Sequence, residues 1–347
     1  MGVYLTPIIV KRVLFLRFLG GKFLAVDANN YLYQFLSLIR TYDGNPLRDS
    51  YGRITSHLVG LAYRTTRLLY DYKIGLVFVF DGKPPQMKKK EIDRRRKMRE
   101  KAVKEWREAL DSGDYITAFS KAVMTSKLTK PMVDDAKKLL GLLGIPCVQA
   151  PSEAEAQSAY MAVRGDVWAA SSKDYDSLLF GAPRLIRFLT ITGKKFLPSK
   201  GVSRPLKPEI IELDTFLSHL GINREQLVDL AILIGTDFNE GIKGIGPKKA
   251  LRLIREYRRL EEMPNEVRKL LPKNYDEIRK IFLKPEVTSN YEIRYEQLKE
   301  KEIFQFLCEE RDFSRKKVEI IIKRMKKFYE ERKQKSIKDW FSRQNEN

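Results

Sequence analysis

The sequence predicts an α/β fold: a mixed, largely parallel central sheet flanked by helices, a helical arch inserted over one sheet edge, and a helix-hairpin-helix region. Three observations carry this. Short apolar, β-favouring runs alternate with stretches of helical periodicity, the pattern of strands covered on both faces. A basic, helix-compatible block interrupts that alternation after Asp81, and a Gly-hydrophobe-Gly turn followed by Pro247 lies between two helical stretches. The organisation expected is a single domain over 1–330, with the arch at about 83–130, the helix-hairpin-helix at about 220–260 and a flexible tail at 331–347.

Residues 8–19 are apolar but carry Lys11, Arg12 and Arg17, and read as a packed helix. The segment is too short and too charged to span a membrane, and it lacks a secretory cleavage pattern. Lys22 to Val26 is the first strand and delivers Asp27; Tyr31 to Leu36 continues as helix until Asp43-Gly44-Asn45-Pro46 breaks it. Residues 55–72 show helical spacing, and 76–80 form a buried strand ending at Asp81. Pro84 and Pro85 can precede a helix but cannot sit inside one. The basic run 88–99 follows, with Lys88 and Arg95 near one face. Such runs are by default solvated helices. Directly after an acidic strand end, this one is expected to lean over that end and hold phosphates.

A helix over 132–143 feeds a strand over 145–150, and Ser152 caps a helix with Glu153 and Glu155 in its first turn. The apolar run at Val167 ends in Asp174-Tyr175-Asp176; strands follow at 185–190 and 195–197, and from about 205 the chain reads as helical, with Asp237 after Leu233-Ile234-Gly235-Thr236. One acid after a strand is ordinarily a turn residue or a cap. Here Asp27, Asp81, Glu153, Glu155, Asp174, Asp176 and Asp237 close five such segments. The carboxyl edge of an open α/β sheet is where ligands bind, and acids gathered there would repel one another unless a pair of divalent cations intervened.

Composition narrows the partner. The 347 residues carry a formal charge of +21, which favours a polyanion through phosphate neutralisation. Two cysteines exclude a disulfide framework and a cysteine zinc site. An acidic metal site in a basic protein suits the cutting of nucleic acid. In the hairpin, Gly244 and Gly246 let backbone N–H groups approach a phosphate, with Lys248 and Lys249 just beyond on a helix N-terminus favourable to anions. Such a hairpin grips the backbone without reading bases.

Asp27-Ala28-Asn29, Tyr33-Gln34-Phe35-Leu36, Thr55-Ser56-His57-Leu58, Tyr63-Arg64-Thr65, Val79-Phe80-Asp81-Gly82-Lys83-Pro84-Pro85, Ala150-Pro151-Ser152-Glu153-Ala154-Glu155-Ala156, Asp174-Tyr175-Asp176 and Gly244-Ile245-Gly246-Pro247-Lys248-Lys249-Ala250 occur in this order. Together they resemble the flap endonuclease family in its archaeal form, over nearly the whole chain. The resemblance implies a structure-specific 5′ nuclease of DNA replication and repair, with 5′-3′ exonuclease activity alongside, using two Mg²⁺ ions (Mn²⁺ substituting). It places metal ligands on the seven carboxylates, phosphate-steering cations on Arg64, Lys88 and Arg95, and a base-stacking ring on Tyr33. It also implies a K⁺ ion at the 241–246 hairpin, a monomer acting on branched DNA with a 5′ flap, and a nucleoid-associated cytoplasmic location if archaeal, nuclear if eukaryotic. Where the family has a longer, less cationic beginning, Val10 to Arg17 is short, basic and aliphatic.

In the tail, Gln334 is followed by Ile337, Trp340 and Phe341, which share one face of a helical turn and would plug a hydrophobic groove. This resembles the sliding-clamp interaction box of replication proteins. Rival readings are a 5′ exonuclease, a junction resolvase or a bubble nuclease of the same superfamily, the last of which would carry a long insertion between Arg107 and Val133. A non-catalytic DNA-binding clamp adaptor would have eroded carboxylates.

Overall fold

The computed structural model describes residues 2–41, 43–189, 195–197, 202–204 and 207–344, with side chains described outside 195–204 and 333–344. Its strands are β1 (Arg12–Val13), β2 (Phe23–Asp27), β3 (Gly75–Phe80), β4 (Cys147–Gln149), β5 (Ala169–Ser171), β6 (Arg184–Arg187), β7 (Lys195–Leu197), β8 (Val202–Arg204), β9 (Glu209–Glu212), β10 (Gly235–Thr236) and β11 (Asn239–Glu240). Its helices are α1 (Ala28–Leu38), α2 (Ser56–Asp71), α3 (Lys89–Asp111), α4 (Tyr115–Met124), α5 (Lys130–Leu142), α6 (Ala154–Val163), α7 (Asp176–Leu179), α8 (Leu213–Leu220), α9 (Arg224–Ile234), α10 (Pro247–Tyr257), α11 (Asn265–Arg268), α12 (Tyr275–Leu283), α13 (Glu300–Phe304) and α14 (Arg315–Gln344). Among the described residues no helix is long and apolar enough to cross a membrane.

Seven strands form the main sheet in the order β1-β9-β6-β5-β2-β3-β4. The pairs β4–β3, β3–β2, β2–β5 and β5–β6 are parallel; β9 pairs antiparallel with both β6 and β1. After β2 the chain builds outward to β3 and β4, then crosses back to lay β5 on the other side. The strand order therefore reverses between β2 and β5, which makes the carboxyl ends of those strands a topological switch point and the natural ligand crevice. Register brings the ends level, with Asp27 opposite Val79 and Val26 opposite Ser171.

The apolar runs become strands because both faces are covered. Leu24, Val26, Phe78 and Phe80 face a core completed by Leu61 of α2, Leu140 of α5 and Ile321 of α14. Their neighbours Ala25, Val77 and Val79 face the other way, against Val148 and, on α6, Ala154 and Met161. A further core of Tyr175, Leu178, Phe216, Leu230, Ile254 and Phe282 backs α7 to α12. It carries the helix-hairpin-helix: α9, the β10–β11 turn, the loop 241–246 closed by Ile242 N–H donating to Leu233 C=O at 2.9 Å, and α10 begun by Pro247.

The arch is differently made. The 23-residue α3 buries only Ala102 and Ala109, and α4 only Ala118 and Ala122. These small residues let the two helices lie close, joined by Lys121 and Glu105 at 2.7 Å. Arg40 fastens the far end, donating to Ser126 Oγ at 2.8 Å and to Gly44 C=O at 2.6 Å.

Three expectations are corrected. Residues 8–19 are not a packed helix: Arg12–Val13 pairs with β9, and Leu16–Leu19 is a single 3₁₀ turn. Cross-strand ion pairs accompany this pairing, Lys11 meeting Glu209 at 2.5 Å and Arg12 meeting Glu212 at 3.0 Å. The chain beyond 205 is likewise not all helix, since Glu209–Glu212 is a strand of the main sheet. The strand expected over 185–190 stops at Arg187, where Phe188 turns to a φ of 62°.

Candidate active site

Six of the seven acids end or follow strands β2, β3, β4 and β5 of the main sheet, and the seventh, Asp237, lies in the turn of the separate β10–β11 ribbon. Asp27 ends β2 and caps α1, accepting from Asn30 N–H at 3.0 Å. Asp81, just past β3, accepts from the N-terminal N–H of α6, Ala154, at 2.7 Å, and from Asn29 Nδ2 at 2.7 Å. Glu153, rather than Ser152, is the N-cap of α6 and Glu155 lies in its first turn, where the helix N-terminus favours negative charge. Asp174 accepts from Asn30 Nδ2 at 2.9 Å, and Asp176 from Val3 N–H at 2.8 Å. Asp237 occupies the tight turn between β10 and β11, so one short segment supplies both an acid of the site and the entry to the DNA-gripping hairpin. Gly82 is required where the loops cross: a Cβ there would stand 2.3 Å from the carbonyl oxygens of Ala150 and Pro151.

Burial and mutual repulsion leave this edge short of positive charge. Asp27 is pushed well above the usual carboxylate range by burial and then by Asp81; Glu155 likewise by burial and then by Asp176, Asp27 and Asp174. Asp176 is pushed up to about 7 by burial, with Asp237 and Asp174 adding to it. Burial also raises Glu153, although Lys88 pulls the other way. Lys88 and Arg95 reach down from the arch: Lys88 Nζ is 2.5 Å from Glu153 and 3.3 Å from Asp237, and Arg95 Nη2 is 2.8 Å from both oxygens of Asp237. Burial works to raise Asp237, but Lys88 and Arg95 outweigh it and hold this carboxyl below its ordinary value.

Among the described residues no three acidic, histidine or cysteine side chains converge as a finished cage for one ion. The donor set nevertheless fits hard divalent cations. It is all oxygen, the two arch cations reach only Glu153 and Asp237 of the seven carboxylates, and Asp27, Glu155 and Asp176 are held towards their neutral form by burial and then by one another and their acidic neighbours.

Of the other residues singled out, Tyr33 lies on α1 beneath the arch, its hydroxyl accepting from Arg99 Nη1 at 3.2 Å. Arg64 is on α2, its guanidinium 5.9 Å from the Phe35 ring, at the α1–α2 interface. Gly244 takes a φ of +84° in the hairpin loop, Gly246 caps α10, and Lys248 and Lys249 occupy its first turn. The backbone of Gln334, Ile337, Trp340 and Phe341 falls within α14, and their side chains lie outside the described residues. Sequence reasoning assigned no part to Asn30, Glu91 or the Gly2-Val3 backbone. Gly2 carries the one signal that points to it: a Cβ there would stand 2.7 Å from the Asp176 carboxylate, so only glycine lets the chain start pass so close.

The family models for the XPG N-terminal domain and the XPG I-region match residues 1–102 and 144–237, the two halves that supply the acids, and leave the second part of the arch between them. A nuclease core of XPG type is thereby defined. The chain is 50% identical over 355 residues to flap endonuclease 1 of Staphylothermus marinus, covering 99% of this chain and 100% of that one. The solved flap endonuclease-1 of Methanococcus jannaschii superposes with a TM-score of 0.76 at 42% identity, covering 95% of this chain and 100% of that one. The catalytic core of Rad2 in complex with DNA substrate shares the fold at 23% identity and a TM-score of 0.68, covering 93% and 100%. The chain belongs to the flap endonuclease family, structure-specific nucleases that hydrolyse DNA phosphodiester bonds.

Proposed function

We propose that this chain cleaves 5′-flap DNA near the junction of single strand and duplex, with its seven strand-end carboxylates holding two Mg²⁺ ions. One observation carries the reading: acids from five segments meet at the switch point of the sheet, with Lys88 and Arg95 of the arch set against them. Asp27, Asp81, Glu153, Glu155, Asp174, Asp176 and Asp237 would hold the ions, with Mn²⁺ able to substitute. Such a pair, when bound, supplies an activated water and neutralises charge on the attacked phosphate. The chain's own residues orient and grip. Lys88 and Arg95 exchange their carboxylate partners for the scissile phosphate and place positive charge where negative charge develops. Tyr33 offers a ring to an unpaired base under the arch, and Arg64 steers the phosphate backbone. Gly244, Gly246, Lys248 and Lys249 hold duplex phosphates, aided by K⁺ in the 241–246 loop.

The protein acts as a monomer that a sliding clamp recruits through Gln334, Ile337, Trp340 and Phe341, nucleoid-associated in the cytoplasm if its source is archaeal and nuclear if it is eukaryotic. Replacing Trp340 and Phe341 with Ala is expected to weaken clamp binding about a hundredfold or more and to leave clamp-free cleavage unchanged. Cleavage of flap, nicked, bubble and four-way-junction DNA tests the substrate class. The flap is expected to be cut fastest, at its junction. Faster cutting of the bubble or the four-way junction would overturn the reading.

A further inference from the structure

Lys88, Glu91, Arg95 and Arg99 recur at three- and four-residue spacing, so they share one face of the arch at and beyond the start of α3. It is the face over the sheet edge: Lys88 reaches Glu153, Arg95 reaches Asp237, and Arg99 reaches Tyr33. Glu91 is the acid in that row. An acid facing a cluster of carboxylates and the path of a polyanion is electrostatically unfavourable on both counts. Yet its side chain is only 11% exposed, and it is bound rather than turned to solvent. Its Oε1 accepts from Arg95 Nε at 2.8 Å, and Arg94 donates to both oxygens, at 2.6 and 2.9 Å.

The guanidinium of Arg95 is thus divided between two anions. Nε belongs to Glu91, and Nη2 points at Asp237. Arginine is otherwise a side chain of high rotamer entropy, and a free fork closes on a carboxylate through two nitrogens at once. Holding Nε has two consequences of the same sign. It fixes where Nη2 points, and it denies Asp237 the side-on grip through Nε and Nη2 that would oppose transfer of Arg95 to a phosphate.

We infer that Glu91 is a positioning residue for the nuclease reaction, acting through Arg95 by fixing its Nε edge and leaving Nη2 for the scissile phosphate. The inference rests on the reading of Arg95 as phosphate-steering. It differs from a plain helix-stabilising pair in the sign of its effects. Removing an anion from a DNA-facing helix favours binding on electrostatics alone, whereas loss of positioning slows the chemical step.

The test is a double-mutant cycle on the full chain, reading single-turnover cleavage of a 5′-flap duplex, flap affinity and melting temperature for Glu91→Ala, Arg95→Ala and the double variant. Glu91→Gln, which keeps the shape and an acceptor oxygen for Nε, is the second variant. Glu91→Ala is expected to lower the rate about tenfold or more, the scale of a misplaced catalytic group. Its flap affinity should be unchanged or tighter, and the substitution should have no further effect in the Arg95→Ala background. Glu91→Gln should recover part of the rate, and it serves as the reading variant if Glu91→Ala melts early. An unchanged rate in Glu91→Ala, with Arg95→Ala impaired, would overturn the inference alone. An equal loss in the Arg95→Ala background would make Glu91 a structural residue and overturn it as well. An unimpaired Arg95→Ala would remove the phosphate-steering reading and the inference with it.

Discussion

Along the sheet edge, Asp27, Asp81 and Asp176 are held by backbone N–H groups of Asn30, Ala154 and Val3. On the arch, Lys88 and Arg95 reach the same place on long side chains from a segment that buries little. These three acids are fixed in place by backbone N–H groups, two of them at helix starts, so their positions do not depend on what neutralises them, whereas the ionisation of Asp27 and Asp176 does. The cations are tied mainly by ion pairs, and ion pairs can be traded for others. A rigid negative floor beneath an exchangeable positive roof is an arrangement in which a phosphate and its metal ions can replace internal partners without disturbing the core.

The contrast can be broken from the floor first. Asp174→Ala removes a fixed acid and is expected to lower the single-turnover rate by several orders of magnitude, on the order of 4 kcal/mol or more, with flap affinity little changed. Near-normal turnover in Mg²⁺ would end the assignment. Away from both floor and roof, Lys248→Ala with Lys249→Ala should weaken flap binding several-fold and reduce the slope of log affinity against log salt by about one for each phosphate no longer neutralised. The rate at saturating enzyme should hold. A salt slope equal to that of the unaltered protein would show that these lysines do not touch the backbone.

The smallest effect expected is thermodynamic. Asp27, Glu155 and Asp176 have raised values in the folded protein, so each contributes stability that is complete below the unfolded carboxylate range of about 4. That contribution is lost as pH rises through the folded values, about 7 for Asp176. With chelator present, the melting temperature should therefore fall between pH 5 and pH 8, and Mg²⁺ should restore it most at the upper end. A melting temperature that rises over this interval in chelator would contradict the crowding of the acids.

Much of this was legible in the sequence, and the reasons are local. β2 and β3 read as strands because burial on both faces makes them continuous apolar runs, and Asp27 and Asp81 stand out where those runs stop. The hairpin was legible because Gly244 takes the left-handed conformation that glycine favours and Pro247 sits at the first helical position, where its missing N–H costs nothing. What stayed hidden depends on distant partners. β1 and β9 are short, charged and paired across about two hundred residues of chain, so no periodicity announces them. Asn30 joins Asp27 to Asp174 through its backbone and its side chain, a role visible only once β2 and β5 are neighbours. Glu91 looked like one more charge in a basic run until Arg95 was seen to have a second anion on its other side.

The exchange between floor and roof is tested most directly by replacing Lys88 and Arg95 together with Ala, and measuring the single-turnover rate and the affinity on one 5′-flap substrate in Mg²⁺. The account predicts a rate lowered about a hundredfold or more, the scale of lost electrostatic stabilisation at a reacting centre, with affinity within about threefold, because most of the grip lies in other phosphate contacts. An unchanged rate, or a rate and affinity that fall in step, would mean that these two cations only neutralise the resting site and take no part in the chemistry.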